Sequence, residues 1–282
     1  EDLPALRQIV TLRDGGSGTL NWDDFLDLGA DVSQLSLRTR EQSFGPQALS
    51  DLLFTSGTTG KPKGVKTCHG QNLRIVRDWS EVVGLREGDR YLIVNPFFHS
   101  FGYKAGWLAA LMRGCTIVPQ QVFDVQAVLE CVERERITVL PGPPTLYQSL
   151  LAHPQRREFD LTSLRVAVTG AAAIPVEMIR RMRDELGFAT IVTAYGLTEV
   201  CGFATICRPG DSPELVANTS GRAMPGVEIR CVGSTGRSQP ANVPGEVQVR
   251  GYNLMQGYFN DPQASREVLD ADGWLHTGDI GV

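Results

Sequence analysis

Thr55-Ser56-Gly57-Thr58-Thr59-Gly60-Lys61-Pro62-Lys63-Gly64 follows directly on the apolar run Leu52, Leu53, Phe54, and this strand-then-loop organises the reading of the whole chain. Three glycines free the backbone to wrap a ligand, four hydroxyls offer short donors, and Lys61 and Lys63 add positive charge. That combination suits a polyphosphate. It is not a Walker A loop, which needs four residues between its glycines and a Ser or Thr after the lysine. Here only Thr58 and Thr59 separate Gly57 from Gly60, and Pro62 follows Lys61. A Gly/Ser/Thr cluster by itself reads as a polar surface turn. This order behind a buried-type strand favours the ligand loop.

At 282 residues and 42% hydrophobic content, the chain is expected to form one large or two ordinary domains with a sizeable core. A net charge of -5 offers no electrostatic reason for nucleic acid or an anionic membrane surface, so phosphate binding has to be local. Six cysteines (Cys68, Cys115, Cys131, Cys201, Cys207 and Cys231) are scattered without a Cys-x-x-Cys pair. They read as free thiols of a reducing cytoplasm, with Cys131 in a core stripe. The opening Glu1-Asp2-Leu3-Pro4 is not a charged-then-apolar leader, and no apolar run approaches spanning length, so a soluble cytoplasmic protein without a membrane span is expected.

Working outward, residues 1–50 are weakly patterned, with a turn at Asp14 to Gly18 and a short helix expected at Trp22 to Leu28. From Leu73 to Gly202 apolar runs alternate with helical periodicity, the pattern of βα units on a largely parallel sheet. Strands are expected at Tyr91 to Val94, Cys115 to Val118, Ile137 to Leu140, Leu164 to Val168 and Thr190 to Ala194. Val125, Val128, Leu129 and Val132 behind Asp124 predict one helix. Val176, Ile179, Met182 and Leu186, between Pro175 and Gly187, predict another. After Asp211 the texture turns to short Gly- and Pro-punctuated strands, among them Val227 to Val232 and Glu246 to Arg250, which implies a small antiparallel, barrel-like β subdomain.

Three further blocks stand out: Ala194-Tyr195-Gly196-Leu197-Thr198-Glu199; Gly245-Glu246-Val247-Gln248-Val249-Arg250-Gly251 with Gly257-Tyr258; and Gly273-Trp274-Leu275-His276-Thr277-Gly278-Asp279. With the loop, and in this order, they resemble the adenylate-forming superfamily of acyl-CoA synthetases, luciferases and peptide-synthetase adenylation domains. They most resemble bacterial fatty acyl-CoA ligases, including those for sterol-derived and other bulky acids. The resemblance implies an α/β fold of layered, largely parallel sheets flanked by helices, the large N-terminal domain of such enzymes. It divides the chain into residues 1–70, the end of a first subdomain with the phosphate loop; 71–210, with the acid and adenine sites; and 211–282, a β-rich part ending at a ribose-binding aspartate. Family members carry further N-terminal sequence and a mobile C-terminal domain with a catalytic lysine. The chain is accordingly expected to be a fragment without full activity by itself, and to self-associate through uncovered apolar surface.

The implied chemistry joins a carboxylic acid to the α-phosphate of ATP and then passes the acyl group to CoA, with Mg²⁺ as the metal. Such a site works mainly by positioning and charge stabilisation. By resemblance, the loop from Thr55 through Ser56, Gly57, Thr58, Thr59, Gly60 and Lys61 to Lys63 holds the β and γ phosphates. Tyr195 and Gly196 lie at the adenine, Thr198 on the α-phosphate, Glu199 on Mg²⁺ and Asp279 on the ribose hydroxyls. Gly170, Ala171 and Ala172 present backbone to the nucleotide. Without the resemblance, Thr198-Glu199 reads as a helix cap with an acidic first turn. His99 gates the acid pocket in a positioning role; its part as a general base stays open, because a carboxylate is already ionised at neutral pH. His69, His153 and His276 show no metal-ligand spacing.

Amino-acid-activating relatives hold the substrate ammonium with an aspartate, and Phe98-His99-Ser100-Phe101 offers no acidic residue. A plain carboxylic acid is expected, in a pocket of His99, Phe101, Ala105, Gly170, Ala171 and Ala194 that suits an aliphatic, aryl or alicyclic acid. Two other readings stay open: a nucleotide-binding fragment without complete activity, and adenylation with a different acceptor. Luciferase-type oxidation is disfavoured.

Overall fold

The computed structural model describes residues 4–55, 61–170 and 172–282. The chain divides into two compact units, Glu1–Gly45 and Pro46–Val282. In the first, β1 (Val10–Thr11) pairs in parallel with β2 (Leu20–Asn21), followed by α1 (Trp22–Asp27) and α2 (Gln34–Gln42). Each helix begins at a side-chain cap: Asn21 accepts from the Asp24 N–H, and Ser33 from the Ser36 N–H. The helix expected at Trp22 is α1. No residue of α1 or α2 is buried.

The second unit opens with β3 (Leu49–Thr55) and β4 (Lys63–Cys68), an antiparallel pair whose register sets Thr55 opposite Lys63. These strands flank the Gly/Thr-rich stretch, of which Ser56 to Gly60 lie outside the described residues. β4 leads straight into α3 (His69–Val83), whose Ile75, Val76, Trp79 and Val83 are buried. Their spacing makes one apolar face against the sheet.

The main sheet is built from β5 (Arg90–Ile93), β6 (Thr116–Pro119), β7 (Val166–Gly170), β8 (Thr190–Tyr195), β9 (Thr205–Ile206) and β10 (Arg222–Ala223). Between β5 and β6 run α4 (Ser100–Gly102), a π-helical turn at Tyr103–Leu108, and α5 (Ala109–Arg113). Then come α6 (Val125–Glu135) and α7 (Pro144–Ala152) before β7, α8 (Val176–Leu186) before β8, and α9 (Pro213–Asn218) before β10. β5 pairs with β6 and β7 with β8 in parallel, while β9 and β10 add on antiparallel to β8.

The strand expected over Ile137 to Leu140 pairs only through Val139, which bridges Tyr91 on one side and Val166 on the other, both in parallel. That residue joins the two parallel pairs into one sheet. Pro141 has no N–H to donate, yet beyond it the Gly142 N–H still reaches the Val168 carbonyl at 3.0 Å. Leu140, Val166, Val168 and Val192 are all buried, as expected of parallel strands covered on both faces.

The two predicted helices are α6 and α8. Asp124 caps α6 by accepting from the Ala127 N–H at 2.8 Å, and Val128, Leu129 and Val132 are buried with Cys131. α8 spans the expected residues between Pro175 and Gly187 and buries Ile179, Met182 and Leu186. Each fully buried aliphatic side chain of this kind contributes about 1.5–3 kcal/mol.

The C-terminal part forms an antiparallel sheet of β11 (Val227–Val232), β12 (Gly245–Gly251) and β13 (Leu275–Gly281), with α10 (Pro262–Val268) between β12 and β13. All six cysteines are free. Among the described residues no helix is long and apolar enough to cross a membrane.

Candidate active site

The parallel register of β7 and β8 sets Gly170 beside Ala194, so both strands end at the same level. Ligands of open α/β sheets collect beyond such carboxyl ends. The backbones approach closely here: a Cβ on Gly170 would lie 2.5 Å from the Ala194 carbonyl oxygen, and one on Gly196 would lie 2.1 Å from that of Gly202. Neither position has room for a side chain.

Two cavities meet at this edge. One, of about 140 Å³, has His99, Phe101 and Gly196 towards its mouth and buried Trp79, Val168, Thr169 and Phe203 at its floor. The other, of about 510 Å³, is lined by Ala172, Ala173, Ser220 and Asp279 among others. Ala194, Tyr195 and Gly196 line both. The Tyr195 hydroxyl donates to Asp279 Oδ2 at 2.6 Å, tying the end of β8 to β13. Burial, together with that carboxylate, pushes the Tyr195 phenol up, so it remains a donor.

Beyond Gly196 the chain enters a 3₁₀ turn at Thr198–Val200. The Glu199 carbonyl accepts from the Met255 N–H at 2.8 Å. Its carboxylate Oε1 accepts from the Tyr258 hydroxyl, also at 2.8 Å. Tyr258 in turn bridges Val65 of β4, and the Lys63 ammonium stands 5.0 Å from its ring centroid. Lys63, Tyr258 and Glu199 thus form a chain from β4 to the turn after β8. Burial, with the Glu199 charge next, pushes the Tyr258 phenol up, which keeps the proton on the tyrosine. Lys61, Lys63, Gly64, Tyr258 and Asp261 also line a third cavity of about 490 Å³, which brings two cations and one carboxylate together.

His99 caps α4, its Nδ1 accepting from the Phe101 N–H at 3.1 Å, and is exposed at the mouth of the smaller cavity. Ala105, expected in the acid pocket, does not line it. It is fully buried, with its carbonyl accepting from the Tyr91 hydroxyl. Ser56, Gly57, Thr58, Thr59, Gly60 and Ala171 lie outside the described residues. Thr55 pairs with Lys63.

Two features were not read from the sequence. Tyr258 was quoted within a block but given no task. Lys104 is fully buried in the π-helical turn after His99, with Nζ 3.4 Å from Thr67 Oγ1 and 3.8 Å from Asp51 Oδ1. Asp51 also accepts from Thr67 at 2.7 Å and Asn72 at 2.6 Å. The cluster fastens β3, β4 and α3 to the turn behind His99. The signal for it was a single cation inside the apolar run Phe101 to Leu108.

A metal can be held here by one carboxylate. Among the described residues no three His, Cys, Asp or Glu side chains cluster as a metal cage. Glu199 is half-buried, unpaired with any described cation, and uses Oε1 for Tyr258. Mg²⁺ is commonly held by one or two carboxylates plus substrate phosphates, so the donor set fits.

The family model described as AMP-binding enzyme matches residues 6–259. The chain belongs to this family. A Rhodococcus jostii protein named 3-[(3aS,4S,7aS)-7a-methyl-1,5-dioxo-octahydro-1H-inden-4-yl]propanoyl:CoA ligase is 48% identical over 285 residues, covering 100% of this chain and 53% of that protein. A Mycobacterium tuberculosis protein of the same name is 49% identical over 281 residues, covering 99% and 53%. The crystal structure of the anthranilate CoA ligase AuaEII in complex with anthranoyl-AMP superposes with a TM-score of 0.82 at 26% identity, over 99% of this chain and 51% of that one. The chain spans about half the length of the curated relatives it matches.

Proposed function

We propose that the protein carrying this chain activates a carboxylic acid with ATP and transfers the acyl group to CoA. The observation that carries the reading is the shared wall Ala194-Tyr195-Gly196 between two cavities, one small and apolar, the other larger and ending at Asp279. An acyl-adenylate has this form, an apolar acid joined to a polar nucleotide through one phosphoryl group. The acid carboxylate attacks the α-phosphorus, a new P–O bond forms, the α–β bridging P–O bond breaks, and pyrophosphate leaves. The CoA thiol then attacks the acyl carbon and AMP departs.

In this reading Thr55 to Lys63 hold the β and γ phosphates, Thr198 meets the α-phosphate and Asp279 holds the ribose. Tyr195 and Gly196 wall the adenine, with Gly170 and Ala172 offering backbone. His99 stands at the acid mouth. Glu199 would hold Mg²⁺, which when bound neutralises phosphate charge. The smaller cavity, about 140 Å³ in all, accepts one compact ring, since a cavity of about 150 Å³ holds benzene. The two ligases named above, whose acid is a bicyclic propanoate, support an alicyclic or aryl acid over a long straight chain. A cytoplasmic location fits ATP and CoA as substrates.

The test is ATP–pyrophosphate exchange by the full-length protein against a panel of acids, with thioester formation followed on adding CoA. Acid-dependent exchange and a CoA thioester are expected. Exchange with no acid, or only with amino acids, would overturn the reading.

A further inference from the structure

In the pairing of β12 with β13, Glu246 stands opposite Ile280 and Gln248 opposite His276, so Val247 alone faces Thr277, Gly278 and Asp279. This is a β-bulge, and bulges re-aim the side chains they carry. Gly278 turns at φ +75°, in the left-handed region, with open space where a Cβ would stand, so its conformation and not crowding favours glycine. Asp279, at the end of the bulge, lines the larger cavity and accepts from the Tyr195 hydroxyl at 2.6 Å. The Thr277 hydroxyl donates to the Val247 carbonyl at 2.7 Å and accepts from the Asp279 N–H at 3.1 Å. Glu246 Oε1 accepts from the Gly278 N–H at 3.2 Å, while Oε2 lies 3.0 Å from His276 Nδ1 and 3.2 Å from Gln248 Nε2. On the other side of the ring, His276 Nε2 stands 3.5 Å from Asp270 Oδ2.

We propose that Glu246 is a positioning residue for the nucleotide: its carboxylate fixes the bulge that aims Asp279 at the ribose. The inference rests on the ribose role given to Asp279 in the proposed function. Glu246 is not among the described residues lining the cavity, so it acts through Asp279 and not by contact. One of its oxygens goes to the backbone of the bulge and the other to two side chains beside it, which leaves the carboxylate one orientation. His276, bracketed by Glu246 and Asp270, keeps it there. Gly278 needs such a clasp, since glycine loses more conformational freedom on ordering than any other residue. Tyr195 thus holds the Asp279 side chain from β8, while Glu246 and Thr277 hold its backbone against β12. A carboxylate already in place when the nucleotide arrives adds no ordering cost to binding. Without Glu246 the Gly278 N–H is released, Asp279 has to be ordered by the ligand, and affinity falls.

The experiment measures AMP affinity by calorimetry in the full-length protein and in its Glu246→Ala, Glu246→Gln, Asp279→Ala and Glu246→Ala/Asp279→Ala variants, with thermal melts beside it. Glu246→Ala should weaken AMP binding about fivefold or more. Glu246→Gln, whose amide oxygen still accepts from the Gly278 N–H, should lose about twofold at most. In the Asp279→Ala background the Glu246→Ala change should bring no further loss, because a residue that acts through Asp279 has nothing left to aim. In ATP–pyrophosphate exchange the KM for ATP should rise in Glu246→Ala with the KM for the acid unchanged. Glu246→Asp, which keeps the charge but shortens the reach to the Gly278 N–H by one methylene, carries the same comparison if Glu246→Ala does not fold. AMP affinity unaltered by these Glu246 changes, or an equal loss with and without Asp279, would overturn the inference while leaving acid activation intact. Unchanged affinity in Asp279→Ala would overturn it together with the ribose role. A full-length protein that neither binds AMP nor exchanges pyrophosphate would refute the acid-activating reading itself.

Discussion

Replacing Tyr258 with Phe removes one hydroxyl and leaves the ring that Lys63 faces at 5.0 Å. That hydroxyl donates to Glu199 Oε1 at 2.8 Å from a side chain only 6% exposed. A buried hydrogen bond to a charged acceptor contributes about 1.5–3 kcal/mol, or about ten- to hundredfold in an equilibrium or rate. Residues that orient a metal ligand show losses of the same size. The Mg²⁺ concentration for half-maximal ATP–pyrophosphate exchange should therefore rise about tenfold or more in Tyr258→Phe, with the KM for the acid little changed. The assay is exchange rate against free Mg²⁺ at saturating ATP and acid, beside thermal melts that report whether the variant is folded. An unshifted Mg²⁺ curve would refute the idea that Tyr258 orients a metal ligand. So would a fall in rate independent of Mg²⁺.

Glu199→Gln should cut exchange by about two to three orders of magnitude at saturating Mg²⁺, and unchanged activity would return the residue to a helix-cap role. Asp279→Asn should weaken AMP binding by about tenfold in calorimetry, since the amide keeps one acceptor but loses the charge; equal affinity would remove Asp279 from the ribose site. Burial works to raise the Glu246 carboxyl, but hydrogen bonds from Gln248, His276 and the Gly278 N–H hold it below its ordinary 4.5. Its stabilisation is therefore present above pH 4.5 and lost as pH falls through the lower folded value. Glu246→Gln should flatten the pH dependence of Tm below pH 4.5, and a parallel Tm profile would show that the interaction contributes nothing.

Helices α6 and α8 were legible because each has a stop or cap that a local pattern exposes: Asp124 before Val125, Pro175 and Gly187 around the second stripe. The parallel strands were legible as short apolar runs between them. The run Ile137 to Leu140 bridges its neighbours through Val139 alone, because apolar content signals burial, which Ile137, Val139 and Leu140 all show, and not the length of a ladder. Ala105 was likewise read as pocket lining when its small apolar side chain serves the core. Apolar identity marks the interior in general, not the side of the wall a residue faces.

What stayed hidden is long-range pairing between polar groups. Tyr258 meets Glu199 across 59 positions, and Tyr103 meets Asp51 across 52. No window of local periodicity spans such gaps. Yet each hidden group had a local mark: Lys104 is a cation inside an apolar run, and Trp79 is a large indole on the inner face of α3. A polar atom on an otherwise apolar face has to be answered from somewhere. For Lys104 the answer is Asp51 and Thr67, inside the protein, and the consequence is a joint between β3, β4 and the turn behind His99. For Trp79 no described residue answers. By this physical argument, a cation with internal partners is scaffold, and its place is fixed by groups far away in sequence.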